Sequence, residues 1–114
     1  MQMIIEPLSQ ENFREAASLA NSLWPDEDED RLLAEFEAMV NSAGNICLLC
    51  KSGDAGYAGF VHAALRYDHV EGTTTSPVAY IEGIYVEPNV RRRQMAASLV
   101  ENVMTWARQK GCSE

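Results

Sequence analysis

Tyr80-Ile-Glu-Gly-Ile-Tyr-Val-Glu-Pro-Asn-Val-Arg-Arg-Arg-Gln-Met-Ala-Ala-Ser-Leu-Val100 is the stretch on which the fold turns. The apolar run from Val78 to Val86 reads as a strand, broken in its middle only by Glu82 and Gly83 and ended by Pro88. From Arg91 to Lys110 the period changes: Met95, Ala96, Leu99, Val100, Val103, Trp106 and Ala107 fall at helical spacing, and Gly111 suits the C-terminal cap. A strand feeding a helix through a cationic turn is an anion site, because the unpaired N–H groups and the dipole of the helix start converge there. Outside Arg91, Arg92 and Arg93, six basic residues stand against 17 acidic ones, so the triplet is the positive spot of a negative chain. Charge alone leaves two readings open, a phosphate-holding turn or three solvated arginines.

Working outward, Met1 to Glu6 reads as a strand stopped by Pro7. Ser9 is placed to cap a helix from about Gln10 to Leu23 with the stripe Phe13, Ala16, Ala17, Ala20 and Leu23. Trp24-Pro25 ends it. Asp26 to Asp30 are all acidic, which suits the solvated start of a second helix whose stripe is Leu32, Phe36, Met39 and Val40. Asn45 to Lys51 is strand-like, the cluster from Ser52 to Gly56 is a turn, and Tyr57 to Tyr67 completes a hairpin. A polar loop to Pro77 leads into the strand at Val78. The expected class is α/β in the order β-α-α-β-β-β-α, as one domain over residues 1–114.

With 17 acidic and 9 basic residues the formal charge is -8, which argues against nucleic acid or an anionic membrane as partner and favours a cationic small molecule. No apolar run is long enough to span a bilayer, and the N-terminus lacks the pattern of a secretory signal, so a cytoplasmic setting is expected. Cys47 and Cys50 are spaced C-x-x-C, but within a strand that spacing sends them to opposite faces. They and Cys112 therefore read as small core or near-surface residues, with no metal site.

The segment from Tyr80 to Val100 resembles motif A of the GCN5-related N-acetyltransferases, whose turn reads Gln or Arg, two variable residues, Gly, one variable residue, then Gly or Ala. Arg91 and Ala96 match its ends, and Gln94 stands where the pattern has Gly. Leu23-Trp24-Pro25, Arg66 to Gly72, Ser76-Pro77-Val78 and Ile81 to Val86 further resemble the aminoglycoside 6'-N-acetyltransferases over nearly the whole chain. The resemblance implies an acyltransferase with acetyl-coenzyme A as co-substrate, whose pyrophosphate is held by the amides of Arg91, Arg92, Arg93, Gln94, Met95 and Ala96. It implies an aminoglycoside acceptor, hence antibiotic resistance, and a homodimer. Trp24 and Glu82 match substrate-pocket positions of that branch, and His69 stands where relatives often carry Tyr. Family members run on through a fifth strand and a further helix with a Tyr that often serves as acid. The resemblance therefore implies a GCN5-related fold truncated before the fifth strand, in a chain that self-associates and transfers little acetyl by itself.

Acetyl transfer from a thioester to an ammonium needs a base, donors for the oxyanion and an acid for the thiolate. Glu82 is the candidate base: within an apolar strand its carboxylate is expected to be partly desolvated, with a raised pKa. The same spacing also fits a Glu facing solvent at a sheet edge. Strand alternation puts Ile84 and Val86 on the Glu82 side, and the N–H groups of Ile84, Tyr85 and Val86 are candidates to receive the acetyl oxygen and pantetheine. The alternatives are an acetyltransferase of another small amine or a protein N-terminus, and a non-catalytic coenzyme A-binding or dimerisation module.

Overall fold

The computed structural model describes residues 3–53, 56–66, 77–88 and 94–112. Its elements are β1 (Met3–Pro7), α1 (Phe13–Leu23), α2 (Glu29–Met39), β2 (Asn45–Ser52), β3 (Tyr57–Arg66), β4 (Val78–Val86) and α3 (Met95–Gln109), in the expected order. The four strands make one antiparallel sheet, β1-β2-β3-β4. Period-two alternation along the strands then builds two cores. On one face Cys47, Leu49 and Phe60 pack with Phe13, Ala16, Ala20, Leu32 and Phe36 of α1 and α2. On the other, Leu48, Cys50, Val61, Ala63 and Val86 pack with Met95, Leu99 and Val103 of α3. Cys47 and Cys50 thus lie in opposite layers, and burial pushes their thiols up to about 12 and about 11, so both are protonated packing residues at neutral pH. Among the described residues no cluster could hold a metal ion, and no helix is long and apolar enough to cross a membrane.

Two helix starts differ from the expected ones. α1 begins at Phe13, and Ser9 opens a preceding turn instead of capping the helix. Asn12 locks that turn, its Oδ1 accepting from the Ser9 N–H at 2.8 Å and its Nδ2 donating to the Pro7 carbonyl at 3.0 Å. α3 begins at Met95, because Gln94 adopts the left-handed conformation (φ 58°, ψ 24°). The far end is as expected: Gly111, at φ 88°, lets the Cys112 N–H reach the Ala107 carbonyl and the Gly111 N–H reach Arg108. α2 is capped by Asp28, whose carboxylate accepts from the Asp30 N–H at 3.2 Å, so part of the acidic run closes a helix end.

The irregularity that shapes the site lies in β4. His62 pairs with Gly83 and Ala63 with Ile81, leaving Glu82 as an extra residue, a β-bulge. Alternation fails there, and this corrects the expectation that Ile84 and Val86 share a side with Glu82. Ile84 and Val86 pack on the α3 side, whereas Glu82 lines a cavity beneath α1 and α2. β4 also forms an edge of the described sheet. Tyr80, Ile81 and the α3 residue Met104 are large apolar side chains left exposed there.

Candidate active site

The cavity on the α1–α2 side holds about 260 Å³. Trp24, at the C-terminal end of α1, Leu32, Phe36 and Met39 from α2 supply its apolar wall, and Glu27, Glu35 and Glu82 bring three carboxylates to it. Each carboxylate has a guanidinium partner. Arg31 bridges Glu27 at 3.3 Å and Glu35 at 3.0 Å, and Arg66 pairs with Glu82 at 2.6 Å while stacking on the Tyr80 ring at 4.3 Å. Exposed pairs of this kind contribute only about 0.2–1 kcal/mol, so an incoming cation can displace them at little cost. The surroundings of Glu82 are therefore not the apolar ones expected from the strand sequence: its side chain keeps 31% of its surface and is ion-paired.

A second cavity, of about 340 Å³, lies between β4 and the start of α3 and is lined by Leu23, Ile84, Tyr85, Val86 and Ala96. Four of the residues expected to meet the cofactor thus share one space. Met95 does not offer its side chain there, being 1% exposed in the α3 core, and only its backbone remains for a ligand. Gln94 is exposed at the mouth of the helix. Trp24 lines the first cavity and its neighbour Leu23 the second, and both side chains lie against Gly83. His69, Arg91, Arg92 and Arg93 lie outside the described residues.

Sequence reasoning missed His62, Arg66 and Arg31. His62 carried a signal, since its parity with Phe60 on one strand marks the same face. The Arg66–Glu82 pair did not, because its members are 16 residues apart and meet only through the β3–β4 register.

The model of the "Acetyltransferase (GNAT) family" matches residues 9–114. The chain belongs to the GNAT family of acetyltransferases. It is 39% identical over 112 residues to an aminoglycoside N(6')-acetyltransferase type 1 of Acinetobacter genomosp. 13, a match that covers 98% of this chain and 76% of that relative. An enzyme of the same description from Serratia marcescens is 38% identical over 97 residues, covering 85% of this chain and 66% of its own length. Among solved structures, the aminoglycoside 6'-N-acetyltransferase AAC(6')-Ih from Acinetobacter baumannii superposes with a TM-score of 0.88 at 37% identity, covering 99% of this chain and 76% of its own. AAC(6')-Iy, in complex with the bisubstrate analogue CoA-S-monomethyl-acetylneamine, gives 0.88 at 32% identity, covering 100% and 77%.

Two features of this GNAT site yield direct tests. A Cβ on Gly83 would stand 2.5 Å from Trp24 Cη2 and 2.9 Å from Cζ2, contacts that a rigid ring cannot relieve by bending. Gly83→Ala should therefore cost about 1–3 kcal/mol of stability through overpacking. An unchanged melting temperature would show that Trp24 is free to swing away. At Gln94 the left-handed backbone costs an L-residue about 1–2 kcal/mol, part of which glycine's own entropy loss offsets. Gln94→Gly should raise stability by about 0.5–1 kcal/mol and tighten coenzyme A binding. A lower melting temperature would contradict it.

Proposed function

We propose that this chain, as a single acetyltransferase domain, moves the acetyl group of acetyl-coenzyme A onto the 6'-amino group of aminoglycoside antibiotics and so confers resistance. The observation that carries this function is the pair of cavities to which Trp24 and its neighbour Leu23 contribute, one lined by three carboxylates and the other set against the start of α3. An amino sugar bearing several ammonium groups suits the first, where Trp24 supplies a flat apolar wall and Glu82 the nearest charge to the β4 bulge. Glu82 is the proposed base, accepting a proton directly or through a water. His69, which precedes β4 in sequence, completes the proposed acceptor residues.

The residues at the second cavity fit a pantetheine and pyrophosphate. Ile84, Tyr85 and Val86 line a largely apolar space that suits a pantetheine chain, and Gln94, Met95 and Ala96 form a helix start whose first N–H groups have no intrahelical acceptor. Arg91, Arg92 and Arg93, directly before that start in sequence, add the positive charge a pyrophosphate needs. The names of the related enzymes and the coenzyme A analogue in one related structure support the same choice of donor and acceptor. A cytoplasmic setting and a homodimer belong to the proposal, the second supported by the exposed apolar residues Tyr80, Ile81 and Met104.

The test is thiol release from acetyl-coenzyme A with an aminoglycoside carrying a free 6'-amine, with its 6'-hydroxy counterpart, and with a peptide N-terminus. Release with the 6'-amine alone is expected. Turnover restricted to the peptide would move the chain to another acceptor class, and coenzyme A binding without any turnover would make it a binding module.

A further inference from the structure

His62 is the group of the acceptor cavity to which the function above gives no task. It sits in β3 opposite Gly83, where β4 carries the extra residue Glu82, and its half-buried ring lines the same cavity as Glu82 and Trp24. Phe36 meets the ring edge-on, with centroids 6.4 Å apart. His62 Nε2 lies 2.9 Å from Asn45 Oδ1, and the Asn45 Nδ2 is engaged elsewhere, donating to Ser42 Oγ at 2.8 Å. A carbonyl oxygen can only accept, so Nε2 must carry the hydrogen. In the neutral ring the lone pair is thereby fixed on Nδ1. His62 makes no second hydrogen bond among the described residues.

The electrostatic setting keeps the ring neutral. Burial lowers its pKa below the ordinary 6.5, and this outweighs the upward pull of the Glu82 carboxylate from β4 and the Glu35 carboxylate from α2. Glu27 and Arg31 also reach the cavity, and Asn45 on β2 is uncharged. The cavity thus contains a carboxylate suited to attract an ammonium and, on the neighbouring strand, an imidazole with a fixed lone pair.

We propose that His62 is a second proton-accepting residue of the reaction, its Nδ1 taking a proton from the acceptor ammonium that the Glu82 carboxylate holds. The amine nitrogen loses one proton to Nδ1 and attacks the thioester carbonyl carbon. The C–N bond forms, the C–S bond breaks, and the second proton of the attacking nitrogen passes through the Glu82 carboxylate to the departing thiolate. The imidazolium returns its proton to water, so that one amide, one thiol and one released proton result. This deepens the acetyl-transfer function proposed above and rests on it.

His62→Gln separates the proton acceptor from the structural role, because a glutamine amide can still donate to Asn45 Oδ1 but offers no base. The expected result is a fall in kcat of at least ~10²-fold with KM changed by less than about threefold. In the wild type, activity should fall as pH drops through the pKa of the ring, below 6.5, and that limb should vanish in His62→Gln. Nitrogen-15 NMR of the imidazole should show the Nε2–H tautomer, with the Nδ1 resonance shifting when a 6'-amino aminoglycoside is added. An Nδ1–H tautomer, an Nδ1 resonance indifferent to saturating aminoglycoside, or a His62→Gln variant within a factor of about two of wild-type kcat with its acid limb intact would each overturn the assignment. Wild-type protein that transfers acetyl to no amine, while Nδ1 still responds to the aminoglycoside, would instead refute the transferase function and leave the contact standing.

Discussion

Glu82→Gln should lower kcat by ~10²- to 10⁴-fold while KM moves far less. The amide preserves the length and shape of the side chain and still accepts from the Arg66 guanidinium, which holds the carboxylate at 2.6 Å, so the bulge and the cavity wall should stay in place. What disappears is the negative charge that draws the ammonium and the oxygen that receives its proton. Steady-state kinetics with a 6'-amino aminoglycoside is the measurement. A variant within a factor of about two of wild type would make Glu82 a bystander and leave proton removal to His62 or to water.

Phe60→Ala should have the largest effect on stability. Phe60 is fully buried in β3, and two rings meet it edge-on: Phe36 of α2 at 5.9 Å and Trp24 at the end of α1 at 6.4 Å. One side chain therefore ties the sheet to both helices of that layer. Truncating a buried phenylalanine costs about 3–5 kcal/mol, from lost transfer energy and from the cavity left behind. In urea the midpoint should fall with an unchanged slope. Since Trp24 leans on Phe60, the folded fraction should also bind the aminoglycoside more weakly. A loss below about 1 kcal/mol would mean that Trp24 and Phe36 collapse into the space, and would weaken the claim that Phe60 positions the acceptor wall.

Most of the fold was legible because the periodicities are clean. The stripe of α3 and the alternation of Cys47, Leu48, Leu49 and Cys50 each determine which face is buried, and both cores follow. Helix starts were less legible: Ser9 has the chemistry of a cap, but Asn12 ties the Ser9 N–H and the Pro7 carbonyl into a turn that delays α1 to Phe13. Gln94 gives no local sign of a left-handed backbone, and only its place where the related pattern has glycine points to it. The chemistry of the acceptor cavity was half legible. Trp24 and Glu82 were found by resemblance, whereas the arginines paired with the carboxylates depend on register and helix phase, and the imidazole of His62 on which strand lies beside Glu82.

The bulge at Glu82 also determines what kinds of change the gene tolerates. Side chains such as Ile81 or Ile84 can be exchanged for others of similar size without altering the direction in which the carboxylate points, because that direction is set by a count of backbone units against β3. Loss of codon 81 or codon 82 acts differently. Loss of codon 82 removes the carboxylate, and loss of codon 81 restores strict alternation, which sets residue 82 opposite Ala63, toward α3 and away from the acceptor cavity. Drift in this strand should therefore proceed by missense change, and an in-frame deletion of three nucleotides here should abolish resistance even where the protein still folds.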